Sequence, residues 1–385
     1  MSFFSKKKQE NILLIDLYQS SLELSFIYKD NDKCRAVSVR ESLDYLRVAD
    51  PKEQLQTESL RSAVQRAAEK LNKKLHKINT GDFEILVLPH GKLSLMQNDE
   101  LYVQLKDKGK LSEETIANIV QKHHLDQDSF KNLIDNKDDG KMFFKSRKLI
   151  TRIAPNFYLS KSWRKSGALE LSFLVTQILV REDIHKPLQE ELFGIYPGKT
   201  LSFINPNALL ATALSSSQKS RGLNSNFNIL DLGAEFISFY QIYDGFAINS
   251  GILNLGVNQV IRKLDTFIES FELSESALKN YLKGHCKGDD CKKIKSLLNE
   301  FENQLKESLS KIKLNPFLKS KIILMHNPDL NKEIVLWLSH VFGKALGDKM
   351  KIELNTQKNT KDAIRQYFCI NRLIHDKDKK LIIFD

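Results

Sequence analysis

Two aspartates, Asp16 and Asp231, each close a short apolar run, Asn11-Ile-Leu-Leu-Ile-Asp16 and Phe227-Asn-Ile-Leu-Asp231. A carboxylate at the end of a strand can hold a metal ion through water. Gly233, two residues beyond Asp231, lets backbone approach a ligand closely and present its N–H groups. Together these features suit a phosphate. The same residues also build an ordinary tight turn, with the aspartates capping it or pairing with nearby lysines. Other groupings carry less. His285-Cys286 and Cys291 are zinc-binding residue types without the spacing or the second ligand pair of a zinc site. Adjacent His123 and His124 point to different sides of a helix, and no Ser-His-Asp or Cys-His set can be assembled. The sequence therefore assigns no catalytic residue and no metal site.

The elements that must position these aspartates follow from periodicity. Leu22, Leu24 and Phe26 alternate as a strand after Asp16; Ile237, Phe239, Gln241 and Tyr243 do the same after Asp231, with Asp244-Gly245 as a two-residue turn to a third strand. Two strand-acid-turn-strand units, at 11–28 and 227–243, predict two related halves facing one cleft. Between them, Leu60, Val64, Ala67, Ala68 and Leu71 mark an amphipathic helix, Phe83 to Pro89 a buried strand, and Ser112 the cap of a helix carrying Ile116, Ile119 and Val120. Residues 125–148 read as a mobile, charged insertion, and 149–159 and 169–180 as strands, so that about 90–180 form a small inserted α+β subdomain. Pro187 starts a helix, Leu201 to Ile204 is a strand, and Asn205-Pro206-Asn207-Ala208 opens a helix packed closely on another backbone.

The polar run 215–226 is the linker, giving a first lobe of 1–214 and a second of 227–385. The second lobe continues with helices over 257–271, 274–282, 294–314, 334–346 and 362–374, and a strand at 321–324. The last apolar run, Leu381 to Phe384, is too short to anchor in a membrane and should pair with a sheet.

Composition bounds the function. The chain has 385 residues, 41% hydrophobic and 28% charged, enough for two domains with a buried core. It has neither an apolar run long enough to span a bilayer nor the apolar core of a signal peptide at Met1 to Lys8, so the expected location is the cytoplasm. Four scattered cysteines make no disulfide framework and agree with a reducing compartment. The net charge of +11 is spread through polar helices without clustered aromatics or a groove-reading motif, so no nucleic-acid partner is expected. Phe3-Phe4 with Lys6-Lys7-Lys8 could rest on an anionic membrane surface or be a frayed basic terminus.

In this order the motifs resemble those of the actin-like ATPase superfamily, and within it the FtsA cell-division and PilM pilus-assembly proteins, over most of the chain. Asp16 with Ser20-Ser21 is similar to the first phosphate motif, Asn205 to Ala211 to the connecting helix, and Asp231-Leu-Gly233-Ala-Glu235 to the second phosphate motif. Leu255-Gly256-Val-Asn258 matches the glycine segment that follows. The resemblance implies an α/β, ribonuclease H-like, two-lobed actin fold whose inserted subdomain lies in the first lobe. It also implies Asp16, Ser20, Ser21, Asp231, Gly233, Glu235 and Gly256 as nucleotide-binding positions for ATP and Mg.

Each motif departs from that pattern. Tyr18 stands where the family has glycine, Phe236 and Ile237 where it has threonines, and Met325-His326-Asn327-Pro328 where it has a paired glycine turn. Only Lys279 remains of the residues facing adenine. Phe236 and Ile237 have no side-chain donor, and a Cβ at position 18 resists a glycine-only backbone. The expectation is a scaffold of a bacterial envelope machine with lost or weakened nucleotide binding, at the inner face of the plasma membrane. Its partner would be the cytoplasmic tail of an inner-membrane protein, as for a pilus scaffold, or a division filament, with self-association open to either. The competing expectation is an active ATPase whose nucleotide state controls assembly.

Overall fold

The computed structural model describes residues 11–18, 21–30, 33–43, 57–78, 80–90, 93–104, 144–155, 170–180, 182–199, 201–207, 209–210, 226–234, 236–243, 246–311, 321–326, 330–346, 351–354 and 382–384. They fall into two units, which are taken in turn.

The first unit is built on β1 (Asn11–Leu17), whose residues Ile12 to Leu17 are all buried. β2 (Ser21–Asp30) and β3 (Lys33–Ser42) add antiparallel on one side; β4 (Phe83–Pro89) and β8 (Leu201–Phe203) add parallel on the other, giving the order β3-β2-β1-β4-β8. Near-continuous apolar sequence in β1 and β4 is what a strand covered on both faces requires. Helix α1 (Thr57–Leu75) buries Leu60, Val64, Ala67, Ala68 and Leu71, the stripe its periodicity predicts. Helix α2 (Glu182–Ile195) buries Ile184, Leu188 and Leu192. It begins before Pro187, which lies inside it rather than at its start. The stripe at Ile184 recruits the preceding turn into the helix despite the missing N–H of Pro187.

Glu41 of β3 ties the sheet to α1. Its carboxylate is buried between Lys70 Nζ (2.5 Å) and Arg66 Nε (3.3 Å). Burial alone would raise its pKa; the hydrogen bonds and charges of Lys70 and Arg66 outweigh burial and hold it below the usual carboxylate value. A lowered folded pKa gives stability that is full above the unfolded value of about 4.3 and is lost as pH falls through the folded one. Glu41→Gln should therefore lower stability at pH 7 by ~1–2 kcal/mol, an exposed-partner discount on charge-assisted hydrogen bonds. In thermal unfolding, the gap from wild type should close as the pH drops below the carboxylate range.

Between β4 and α2 run β5 (Ser94–Gln104), β6 (Phe144–Pro155) and β7 (Glu170–Val180), which form an antiparallel sheet of order β14-β6-β7-β5. Its outer strand, β14 (Ile382–Phe384), pairs Ile382 with Ile150 and Phe384 with Lys148. The last apolar run thus joins a sheet. Residues 144–148, read from sequence as part of a mobile insertion, are the first part of β6. The expected helix after Leu111, residues 125–143, most of the linker and the helix at 362–374 lie outside the described residues.

The second unit repeats the first sheet's order. β9 (Phe227–Leu232) takes β10 (Ile237–Tyr243) and then β11 (Phe246–Leu253) antiparallel on one side, and β12 (Lys321–His326) and then β13 (Lys351–Leu354) parallel on the other. Helices α3 (Val257–Ile268), α4 (Phe271–Leu282), α5 (Asp289–Lys311) and α6 (Lys332–Leu346) pack with the sheet around one core. Its centre includes Leu232, Ile237, Ile261, Leu298, Phe301, Leu338 and Phe342. Helix α5 contributes Ile294, Leu298, Phe301, Leu305 and Leu309 at helical spacing, but starts at Asp289, before the first apolar residue. Asp289 and Asp290 favour that start by meeting the positive end of the helix dipole.

Candidate functional site

Asp16 sits near the end of β1, 5% exposed, opposite Glu23 of β2. The chain turns immediately: the Tyr18 N–H donates to the Ser21 carbonyl at 2.9 Å. The position where a glycine would leave room for a phosphate is filled. The Tyr18 ring is buried and stacks on His90, with ring centroids 4.1 Å apart and planes at 21°. His90 Nε2 in turn lies 3.3 Å from Asp16 Oδ1, and its backbone N–H donates to the Leu17 carbonyl at 2.9 Å. Ser21 Oγ accepts a hydrogen bond from Arg40 at 2.8 Å. The carboxylate and the hydroxyl assigned to phosphate chemistry are both engaged by the protein's own side chains. Ser20 lies outside the described residues.

The second turn closes on itself as well. Asp231 is paired with Ser238 and Met325 in the strand register. The Gly233 N–H donates to the Phe236 carbonyl at 3.0 Å, and a Cβ built on Gly233 would stand 2.6 Å from that same oxygen. Close backbone packing, rather than a left-handed φ, is what excludes a side chain here. Phe236 and Ile237, at the threonine positions, are buried at 2% and 0% exposure. Gly256 is the N-cap of α3 and offers no side-chain bond. The helix's first turn is nevertheless supplied: Asn258 N–H donates to the Ala234 carbonyl at 2.8 Å, and Gln259 N–H to the Gly256 carbonyl at 3.0 Å. Two of the N–H groups that could make this helix N-terminus an anion site are thus turned to carbonyls. Glu235 lies outside the described residues. Lys279 pairs with Glu275, one turn earlier on α4, at 2.8 Å.

His90 and Arg40 are the residues sequence reasoning missed. His90 follows Pro89 with no motif around it, and reaches Asp16 only because β4 runs parallel to β1, matching Asp16 with Leu88 and Leu17 with Pro89. The cysteines also differ from expectation. Cys286 and Cys291 are joined in a disulfide, so their sulfurs bond to each other rather than to zinc. Among the described residues no three His, Cys, Asp or Glu side chains come together as a metal site, and no helix is long and apolar enough to cross a membrane.

No family model and no curated protein matches this sequence. Solved structures do. One described as a PilM-PilN type IV pilus biogenesis complex superposes with a TM-score of 0.57 at 12% identity, over 95% of this chain and 97% of that one. The fold is actin-like. The match runs through both units with their repeated strand order. Two others are more distant: an ethanolamine utilization protein, EutJ, from Carboxydothermus hydrogenoformans (TM-score 0.44, 11% identity, 92% and 88% coverage), and a Bacteroides thetaiotaomicron protein described as having an actin-like ATPase fold and unknown function (0.39, 12%, 95% and 99%). At these identities the likeness is one of fold. In this actin-like chain, the two strand-turn-strand segments that sequence singled out lie at equivalent places in the two sheets, β1–β2 and β9–β10.

Proposed function

We propose that this chain is an actin-fold scaffold of a bacterial envelope machine, PilM-like in type, that has lost or weakened nucleotide binding. One observation carries the reading: both turns that would cradle phosphate are closed by the protein's own groups, Tyr18 and His90 over Asp16 in one, and the Gly233 N–H on the Phe236 carbonyl in the other. ATP with Mg does not fit such turns. At the first turn a phosphate would have to displace a buried aromatic stack, and at the second it would have to break a backbone hydrogen bond, before it gained any contact of its own. The likeness to a PilM-PilN complex supports a protein partner. By that analogy the partner is the cytoplasmic tail of an inner-membrane protein, bound near the inserted sheet, with the chain at the inner face of the membrane.

Isothermal titration with Mg-ATP should give no saturable heat. Micromolar binding that Asp16→Ala and Asp231→Ala abolish would replace this reading with that of an ATPase whose nucleotide state controls assembly. For the partner, pull-downs with full chain and with a folded form lacking 90–180 should differ, the deletion losing an inner-membrane protein. Recovery of a tubulin-like filament protein instead would favour an FtsA-like division role.

A further inference from the structure

We propose that Cys286 and Cys291 form a reversible thiol–disulfide site that locks and releases the corner between α4 and α5. The two are bonded, with Cα atoms 5.8 Å apart and only four residues between them. The corner is shaped to bring them together. Lys283, Gly284 and His285 N–H groups close α4 on the Lys279, Tyr281 and Asn280 carbonyls. Gly284 and Gly288 take the left-handed φ values of 76° and 88° that glycine adopts freely, folding the chain back to the start of α5.

The two sulfurs sit in different settings. Cys286 packs against the core of the second unit, while Cys291 lies in the first turn of α5. Both cysteines are partly exposed and the residues around them, 283–285 and 287–290, are exposed; a small thiol or disulfide can therefore reach the bond. Accessible bonds of this kind are the exchangeable ones.

The chemistry closes with a small-molecule disulfide such as oxidised glutathione. The Cys291 thiolate attacks one of its sulfurs, forming a mixed disulfide and expelling one glutathione thiolate. The Cys286 thiolate then attacks the Cys291 sulfur, forming the protein bond and expelling the second. Two protein thiols are oxidised by two electrons, and one glutathione disulfide is reduced to two thiols. A dithiol runs the sequence backwards. Opening the bond frees the first turn of α5 from the end of α4, whose Lys283 also reaches Glu333 of α6 at 3.5 Å.

This site does not depend on the scaffold reading. The test takes the full chain through glutathione buffers from reducing to oxidising, alkylates remaining thiols and reads peptides containing 286 and 291 by mass spectrometry. Both thiols should disappear together in one two-electron step and return with dithiothreitol under native conditions. The oxidised chain should melt ~4–8 °C above the reduced one, from the loop-closure constraint on a domain of this size, with slower amide exchange over 283–293. The Cys286→Ser/Cys291→Ser chain should show no redox-dependent melting. Thiols that stay alkylatable at the oxidising end, single glutathione adducts in place of the bond, or a bond that dithiothreitol opens only in denaturant would each overturn the proposal. So would an unchanged melting temperature.

Discussion

Gly233→Ala should unfold the second unit at a markedly lower temperature, losing ~2–4 kcal/mol. The added Cβ would lie 2.6 Å from the Phe236 carbonyl oxygen, a backbone atom that no side-chain rotation can move aside. Relief requires opening the turn, which forfeits the Gly233 to Phe236 hydrogen bond. Overpacking of this kind costs ~1–3 kcal/mol and a lost backbone hydrogen bond ~1 more. Gly194 is the control: a Cβ there meets nothing within 4 Å, and it lies in the last turn of α2. Gly194→Ala should leave stability unchanged or raise it by up to ~1 kcal/mol, since alanine is the better helix former. Thermal unfolding of both variants distinguishes a packing role from a phosphate-binding one. A Gly233→Ala chain as stable as wild type would return this glycine to the nucleotide hypothesis.

Tyr18→Gly should have a larger effect and an informative silence. Placing glycine there, as in the phosphate motif this turn resembles, removes a buried aromatic ring and its stack on His90. Deleting a buried aromatic side chain costs ~3–5 kcal/mol, and glycine adds unfolded-state entropy. The variant should still not bind Mg-ATP in calorimetry, because Asp16 still faces His90 and the Ser21 hydroxyl is still held by Arg40. Measurable ATP affinity in a folded Tyr18→Gly chain would mean that one residue had closed the site, and would sink the idea that both turns have changed.

Much of this architecture can be read from the sequence because it rests on local patterns. Acid-terminated apolar runs mark β1 and β9; alternation marks β10; the α1 stripe is plain from Leu60 to Leu71. Where competing local signals met, the outcome was less visible. Pro187 reads as a helix start, but the apolar spacing of Ile184, Leu188 and Leu192 outweighs its missing N–H. In β3, Arg35 and Glu41 stand at the positions that alternate with Val37 and Val39, which leaves only two apolar residues on that face, and pairing with β2 completes the strand. The candidate site was legible as far as Asp16, Gly233 and the departures at Tyr18 and Phe236. The partners that give those residues their meaning were not. His90 meets Asp16 through a parallel pairing of strands separated by an entire helix, and the Cys286–Cys291 bond depends on two left-handed glycines whose effect appears only once the chain is folded.

The pairing of β14 with β6 has a consequence for how this protein is made. As the chain leaves the ribosome, β5, β6 and β7 can pair soon after synthesis, yet the strand that covers Lys148 to Ile150 on the outer edge of β6 emerges only after every strand of the second unit. Throughout that interval a bare strand edge, an efficient template for pairing with a neighbouring nascent chain, stays open. Polysome crowding and trigger-factor-type holding chaperones should therefore weigh on the yield of this protein. A chain stopped before Ile382 should show its defect first as aggregation.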